Sequence, residues 1–144
     1  MESLGEFMSK LARFGVSLEE ELLKKYDSYI ADKKYPTRSK AIGDLIRDEL
    51  VKREWKESSE VAGVITLVYD HHKREVVNKL MRVQHDFHEK IISTQHIHLD
   101  HDNCLEIVIV KGKPKEVETL SDKLKTVKGV KHGSLTMAST GRNI

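Results

Sequence analysis

The chain has 144 residues, 38% hydrophobic and 33% charged, with two prolines and a formal net charge of +2. That balance excludes a disordered chain, and no apolar run reaches the roughly 20 residues of a membrane span. The net charge points to no partner, since residues 1–57 hold twelve Lys or Arg against twelve Asp or Glu; any DNA binding must come from the placement of charge.

The start, Met1 to Glu6, is acidic and lacks the basic and apolar stretches of a signal peptide, so a cytoplasmic location is expected. The single cysteine, Cys104, cannot form an internal disulfide and in a reducing compartment stays available as a thiolate ligand. The pattern changes character near residue 57, which predicts two small domains, 1–57 and 58–144. Domains of this size often gain stability by association, so a homo-oligomer is expected.

In chain order, an extension over 1–10 precedes an alternating stretch in which Phe14, Val16 and Leu18 share one face and Arg13, Gly15 and Ser17 the other. This predicts a short strand over 11–18. Ser17 and Glu20 have capping-box spacing, opening a helix with Leu18, Leu22, Tyr26, Tyr29 and Ile30 at helical intervals. Tyr35-Pro36-Thr37 breaks the chain, Thr37 caps, and a second helix turns Ile42, Leu45, Ile46 and Leu50 inward. A lone strand leaves its backbone groups unpaired, so the same strand of a second copy is its natural partner. The resulting two-stranded ribbon has the width of a major groove. This half resembles the ribbon-helix-helix repressors, whose outward strand side chains read bases.

Lys56 to Glu60 reads as a linker, and Val61 to Tyr69 as a strand rich in β-branched residues. A helix is predicted over 73–93 with Val77, Leu80, Phe87 and Ile91 on one stripe, His88 within it and His85 at its edge. Strands near 95–100 and 104–111 follow, joined by the turn Asp100-His101-Asp102-Asn103. Pro114 opens a helix to about Val127, Gly129 ends it, and a last strand covers 130–138. The order strand, helix, strand, strand, helix, strand is that of a ferredoxin-like sandwich, and it is also similar to the ACT family of regulatory ligand-binding domains. The predicted class is α+β: a ribbon-helix-helix DNA-binding domain followed by a βαββαβ, ferredoxin-like (ACT-like) domain for metal binding and tetramerisation.

Seven of the eight histidines fall between His71 and His101, and His85, His96, His98 and Cys104 lie within twenty residues. Three imidazoles and a thiolate complete a four-coordinate site for a late transition metal; spacing alone does not choose among zinc, nickel and copper. Alternation puts His96 and His98 on one side of their strand. On the next, taking Leu105, Ile107 and Ile109 as the apolar set leaves Cys104 and Glu106 on the polar face. His85, on the helix before, could face another subunit. His88 and His101 read as core and turn residues or secondary sites, and His71, His72 and His132 as surface or structural residues.

The combination of a ribbon-helix-helix segment with Gln84-His85, Gln95-His96-Ile97-His98 and Asp102-Asn103-Cys104-Leu105-Glu106 resembles the NikR family of nickel-responsive transcriptional regulators. The resemblance implies a homotetramer, a dimer of dimers, binding palindromic operator DNA through the major groove. It implies one Ni(II) per subunit, held in square-planar fashion by His96, His98 and Cys104 of one subunit and His85 of a neighbour. It also implies repression of nickel-uptake genes, DNA contacts at Arg13, Gly15 and Ser17, supporting roles for Tyr69 and Glu106, and no enzymatic activity. Two positions depart from the family pattern: Gly15 stands where a hydroxyl-bearing residue is usual, and Lys40 replaces an acidic residue that pairs with the position of Asp44 to bind potassium. The rival readings are a metalloenzyme built on the His/Cys site and an amino-acid-sensing ACT regulator.

Overall fold

The computed structural model describes residues 10–57 and 59–144. The extension over 1–10 therefore lies outside the described residues, apart from Lys10. The elements are α1 (Glu20–Asp32), α2 (Arg38–Lys56), β1 (Val61–Asp70), α3 (Arg74–Asp86), a 3-10 turn (His88–Lys90), β2 (Ile91–His98), β3 (Asn103–Gly112), α4 (Pro114–Lys125) and β4 (Val130–Met137). The chain divides into two compact units, one ending at Gly43 and one covering Asp44–Ile144. The second thus includes the last two-thirds of α2.

In the first unit the strand expected over 11–18 does not form. Residues 10–19 carry no regular secondary structure; the four strands among the described residues all pair in one sheet of the other unit, so within them this segment has no ladder to join. Leu11 (96% exposed), Phe14 (73%), Val16 and Leu18 therefore stand open to solvent. The Ser17–Glu20 capping box is also not made: α1 starts after Glu19, which gives no side-chain cap, although Glu20 and Glu21 complement the helix dipole. At the other end Lys34 adopts a positive φ of 60°. The Tyr35 N–H bonds to the Ile30 carbonyl and the Lys34 N–H to that of Ala31, both at 3.1 Å, which closes the helix with a Schellman motif. Thr37 caps α2 as expected, its Oγ1 accepting from the Lys40 N–H at 3.1 Å. Arg38 forms a two-pronged pair with Asp27, at 2.9 and 2.8 Å.

In the second unit the four strands form an antiparallel sheet in the order β2-β3-β1-β4, the ferredoxin-like arrangement. Val76 and Leu80 of α3 and Val117, Leu120 and Leu124 of α4 cover one face, meeting Val61, Ile65, Leu67 and Tyr69 of β1 and Val108 and Val110 of β3. Each large side chain so buried contributes about 1.5–3 kcal/mol. Trp55 of α2 joins this core, and its indole N–H donates to the Ala138 carbonyl at 2.9 Å. Of the α2 residues expected inward, Leu45 and Ile46 are exposed.

Two further expectations are corrected here. The helix predicted over 73–93 ends at Asp86, because Phe87 leaves helical geometry and the chain turns through His88–Lys90 into β2; His88 is accordingly exposed and not a core residue. On β3 the buried face is the one carrying Cys104, Glu106, Val108 and Val110, not Leu105, Ile107 and Ile109. Register explains it: these residues pair with Tyr69, Leu67, Ile65 and Gly63, the residues of β1 that lie beneath the helices.

Candidate metal centre

Backbone pairing assembles the hairpin donors. His98 lies opposite Cys104 and His96 opposite Glu106 in the β2–β3 ladder, so all four share the helix-facing side. Because β2 is the edge strand, His96 and His98 remain exposed, whereas Cys104 and Glu106 are each only 1% exposed. A thiol and a carboxylate thus sit at the margin of the core with imidazoles between them and water.

The turn that sets this register is strongly held. The Asp100 carboxylate accepts from the Asp102 N–H (2.9 Å), the Asn103 N–H (2.7 Å) and the Asn103 side-chain amide. Those bonds, Asn103's first among them, together with nearby Lys131, hold its pKa down at about 2.

Around Glu106 three elements converge. Tyr69 of β1 donates to Oε2 at 2.7 Å, Gln84 of α3 donates to Oε1 at 2.8 Å, and His96 Nε2 lies 3.2 Å from Oε1. Burial, and then the Glu106 hydrogen bond, hold the Tyr69 phenol far above its ordinary pKa, so it remains a donor. The other ring nitrogen of His96, Nδ1, lies 3.4 Å from the Tyr69 hydroxyl, so the same phenol touches both Glu106 and the imidazole. Nδ1 faces Cys104 Sγ at 3.9 Å. Gln84 entered the sequence analysis only as part of a motif, and no local pattern marked its bond to Glu106, which depends on how α3 lies over β3.

The other predicted residues are placed as follows. The His98 ring stacks on His71, with centroids 4.3 Å apart. His85 is exposed on the last turn of α3 and lines, with Met81, Gln84, His88 and Ile91, an open depression of about 350 Å³. Among the described residues of the single chain, His85 and the hairpin donors do not close into one tight cluster; the group that does is His72, His101 and Asp102. Arg13, Gly15 and Ser17 are exposed in the irregular segment before α1, and a side chain at Gly15 would meet nothing within 4 Å. Asp44 pairs with Arg47 at 3.2 Å.

The donor chemistry fits a borderline transition cation: a buried thiol, an imidazole nitrogen facing it at 3.9 Å, and a second imidazole across the ladder. No helix among the described residues is long and apolar enough to cross a membrane.

The family model described as NikR C terminal nickel binding domain matches residues 62–138, a span containing His85, His96, His98 and Cys104. Proteins named as nickel-responsive regulators are similar over nearly their whole length. That of Syntrophus aciditrophicus is 59% identical over 135 residues, 94% of this chain and 98% of its own. Those of Chlorobium limicola and Desulfovibrio desulfuricans are 53% and 50% identical, over 93% and 95% of this chain and 100% and 99% of theirs. Among solved structures, an uncharacterized protein, TM1266, of Thermotoga maritima has a TM-score of 0.50 at 16% identity, over 55% of this chain and 98% of its own, a likeness of fold alone. The ACT domain of a GTP pyrophosphokinase of Chlorobium tepidum gives a TM-score of 0.47 at 22% identity, over 54% of this chain and 100% of its own. The chain belongs to the NikR family of nickel-responsive regulators, a family of regulators and not of enzymes.

Proposed function

We propose that the protein is a nickel-responsive DNA-binding regulator that represses nickel-uptake genes when Ni(II) is bound. The observation that carries the reading is the buried Cys104 thiol facing His96 Nδ1 at 3.9 Å, inside the span matched by the nickel-binding family model. His96, His98 and Cys104 would hold the ion together with His85 of a neighbouring subunit, one Ni(II) per subunit. The bound ion supplies a joint between protomers that the single chain lacks. Tyr69 and Gln84 fix the Glu106 carboxylate, and Glu106 fixes the His96 ring, so the nitrogen donor is oriented before any ion arrives.

Support for assembly comes from apolar side chains left open to water: Ile92, Ile97 and Leu99 along β2 and its turn, and Leu11, Phe14, Val16 and Leu18 before α1. Pairing of the latter segment between two copies would give a ribbon presenting Arg13, Gly15 and Ser17 to the major groove, and a dimer of such dimers would meet a palindromic operator. Domains 1–57 and 58–144 would then divide DNA reading from sensing. Lys40 occupies one of the family's potassium positions and leaves nickel as the ion to which the reading commits.

Metal and DNA are linked through the conformation each prefers, and a coupling of about 1–3 kcal/mol changes DNA affinity roughly five- to 150-fold. The test is to enrich duplex fragments from a random-sequence pool with the nickel-loaded protein and titrate the winner with and without Ni(II). Tighter binding with nickel, lost in Cys104→Ser, is expected. Equal affinities refute the switch.

A further inference from the structure

The segment that follows β4 crosses back onto α2. The Ala138 N–H donates to the Ala62 carbonyl at 2.9 Å, extending the β1–β4 pairing by one bond, and the Ala138 carbonyl accepts from the Trp55 indole N–H at 2.9 Å. The next residue, Ser139, donates its hydroxyl between the two oxygens of the Glu54 carboxylate, 3.1 Å from each, and accepts from the Gly141 N–H at 3.0 Å. Gly141 has a φ of +83°, which turns the chain, and Asn143 lies with Leu50, Arg53, Glu54 and Glu57 around a depression of about 210 Å³. Those α2 residues recur at helical spacing, so the segment follows one face of the helix.

Two features separate this contact from incidental packing. Glu54 is only 6% exposed and Trp55 only 7%, and the segment supplies a hydrogen bond to each. Buried polar groups are costly to leave unpaired, so these bonds seat the end of the helix firmly. Second, α2 is continuous from Arg38 to Lys56, with residues 38–43 in the first compact unit and residues 44–56 in the second. Whatever seats its last turns therefore acts on the element through which the two units are joined. The contact is also remote from the metal centre: Ala62 lies at the start of β1 and Tyr69 near its end, roughly 23 Å along a strand that rises about 3.3 Å per residue.

We propose that residues 138–141 form a strap that seats α2 on the sheet, and that Ser139 and Glu54 are positioning residues for the nickel response, needed to pass the state of the metal centre to DNA binding and not needed to bind the metal. The proposal rests on the regulator reading above. A helix conveys a change in the sheet only while its end is held there; with the strap undone, the influence of the metal on DNA affinity falls although the donor set is intact.

The test compares the full chain with Ser139→Ala and Ser139→Thr by nickel titration without DNA, by hydrogen exchange of the α2 amides, and by affinity for the enriched duplex with and without Ni(II). Ser139→Ala should keep the nickel affinity of the parent, speed exchange over residues 44–56 about tenfold, and cut the nickel-dependent gain in DNA affinity at least threefold. Ser139→Thr keeps the hydroxyl and should behave as the parent. Unchanged exchange in Ser139→Ala overturns the proposal, as does a Ser139→Thr variant equally impaired. A parent that responds to nickel together with an equally responsive Ser139→Ala refutes the strap alone; a parent whose DNA affinity ignores nickel refutes the regulator reading, and the strap's role with it.

Discussion

Tyr69→Phe removes one oxygen from the middle of the sheet and nothing else. That oxygen donates to Glu106 Oε2 at 2.7 Å, and Glu106 is 1% exposed, so no water can take over the bond. A hydrogen bond to a buried charged group contributes about 1.5–3 kcal/mol when its partner is left unsatisfied. For a chain of this length each kcal/mol corresponds to roughly 2–4 °C in Tm, so the variant should melt about 3–12 °C lower. Glu106 also orients His96, and loss of a partner supporting a ligand commonly costs 10–100-fold in metal affinity. Calorimetric melting of the metal-free protein and nickel titration of the same samples read the two effects separately. Combining Tyr69→Phe with Glu106→Gln should give less than the sum of the single effects, because both act on one network. Unchanged melting and unchanged affinity in Tyr69→Phe would refute the view that Glu106 is held from three sides.

Two other outcomes follow from local geometry. Gly129→Ala should destabilise by about 2–4 kcal/mol in chemical denaturation, since φ is +104° and a Cβ there would collide with Cγ2 of Val76; Gly129→Ala combined with Val76→Ala should recover part of the loss. The Asp100 pKa, lowered to about 2, means that its contribution to stability is present above the ordinary carboxylate value near 3.8 and is lost as pH falls through about 2. Asp100→Asn should accordingly reduce the difference in stability between pH 5 and pH 2, followed by urea midpoints, and an unchanged difference would show that the turn does not depend on the charge.

The parts of this fold legible in the sequence are those governed by local rules. Thr37 caps α2, Pro114 opens α4 and Gly129 closes the turn before β4, as their chemistry dictates. Where competing patterns overlapped, the sequence misled. Phe87 and Ile91 continue the 3.6-residue stripe of α3, yet one belongs to the turn and the other to a strand. Leu105, Ile107 and Ile109 look like a buried set because Cys104 and Glu106 look polar, but the partner strand β1 decides which side faces the helices. His96, His98 and Cys104 share one face as parity alone predicts, since parity survives an inverted choice of face. The contribution of Gln84 was not legible, because it depends on how α3 lies over β3. The segment over 11–18 has the pattern of a strand without a partner in its own chain, and pattern carries no information on where a partner comes from.

The carboxylate at Glu106 also acts as a check on alignment. If β2 slid by one residue along β3, Ile97 would arrive where His96 now stands, and an aliphatic side chain would face a buried acid. Every histidine of the strand would turn to the opposite side in the same movement. A buried polar group is costly to leave without its partners, so the mispaired hairpin is penalised at the one place where a shift would also separate the proposed donors. An edge strand with few core contacts thereby acquires a unique position.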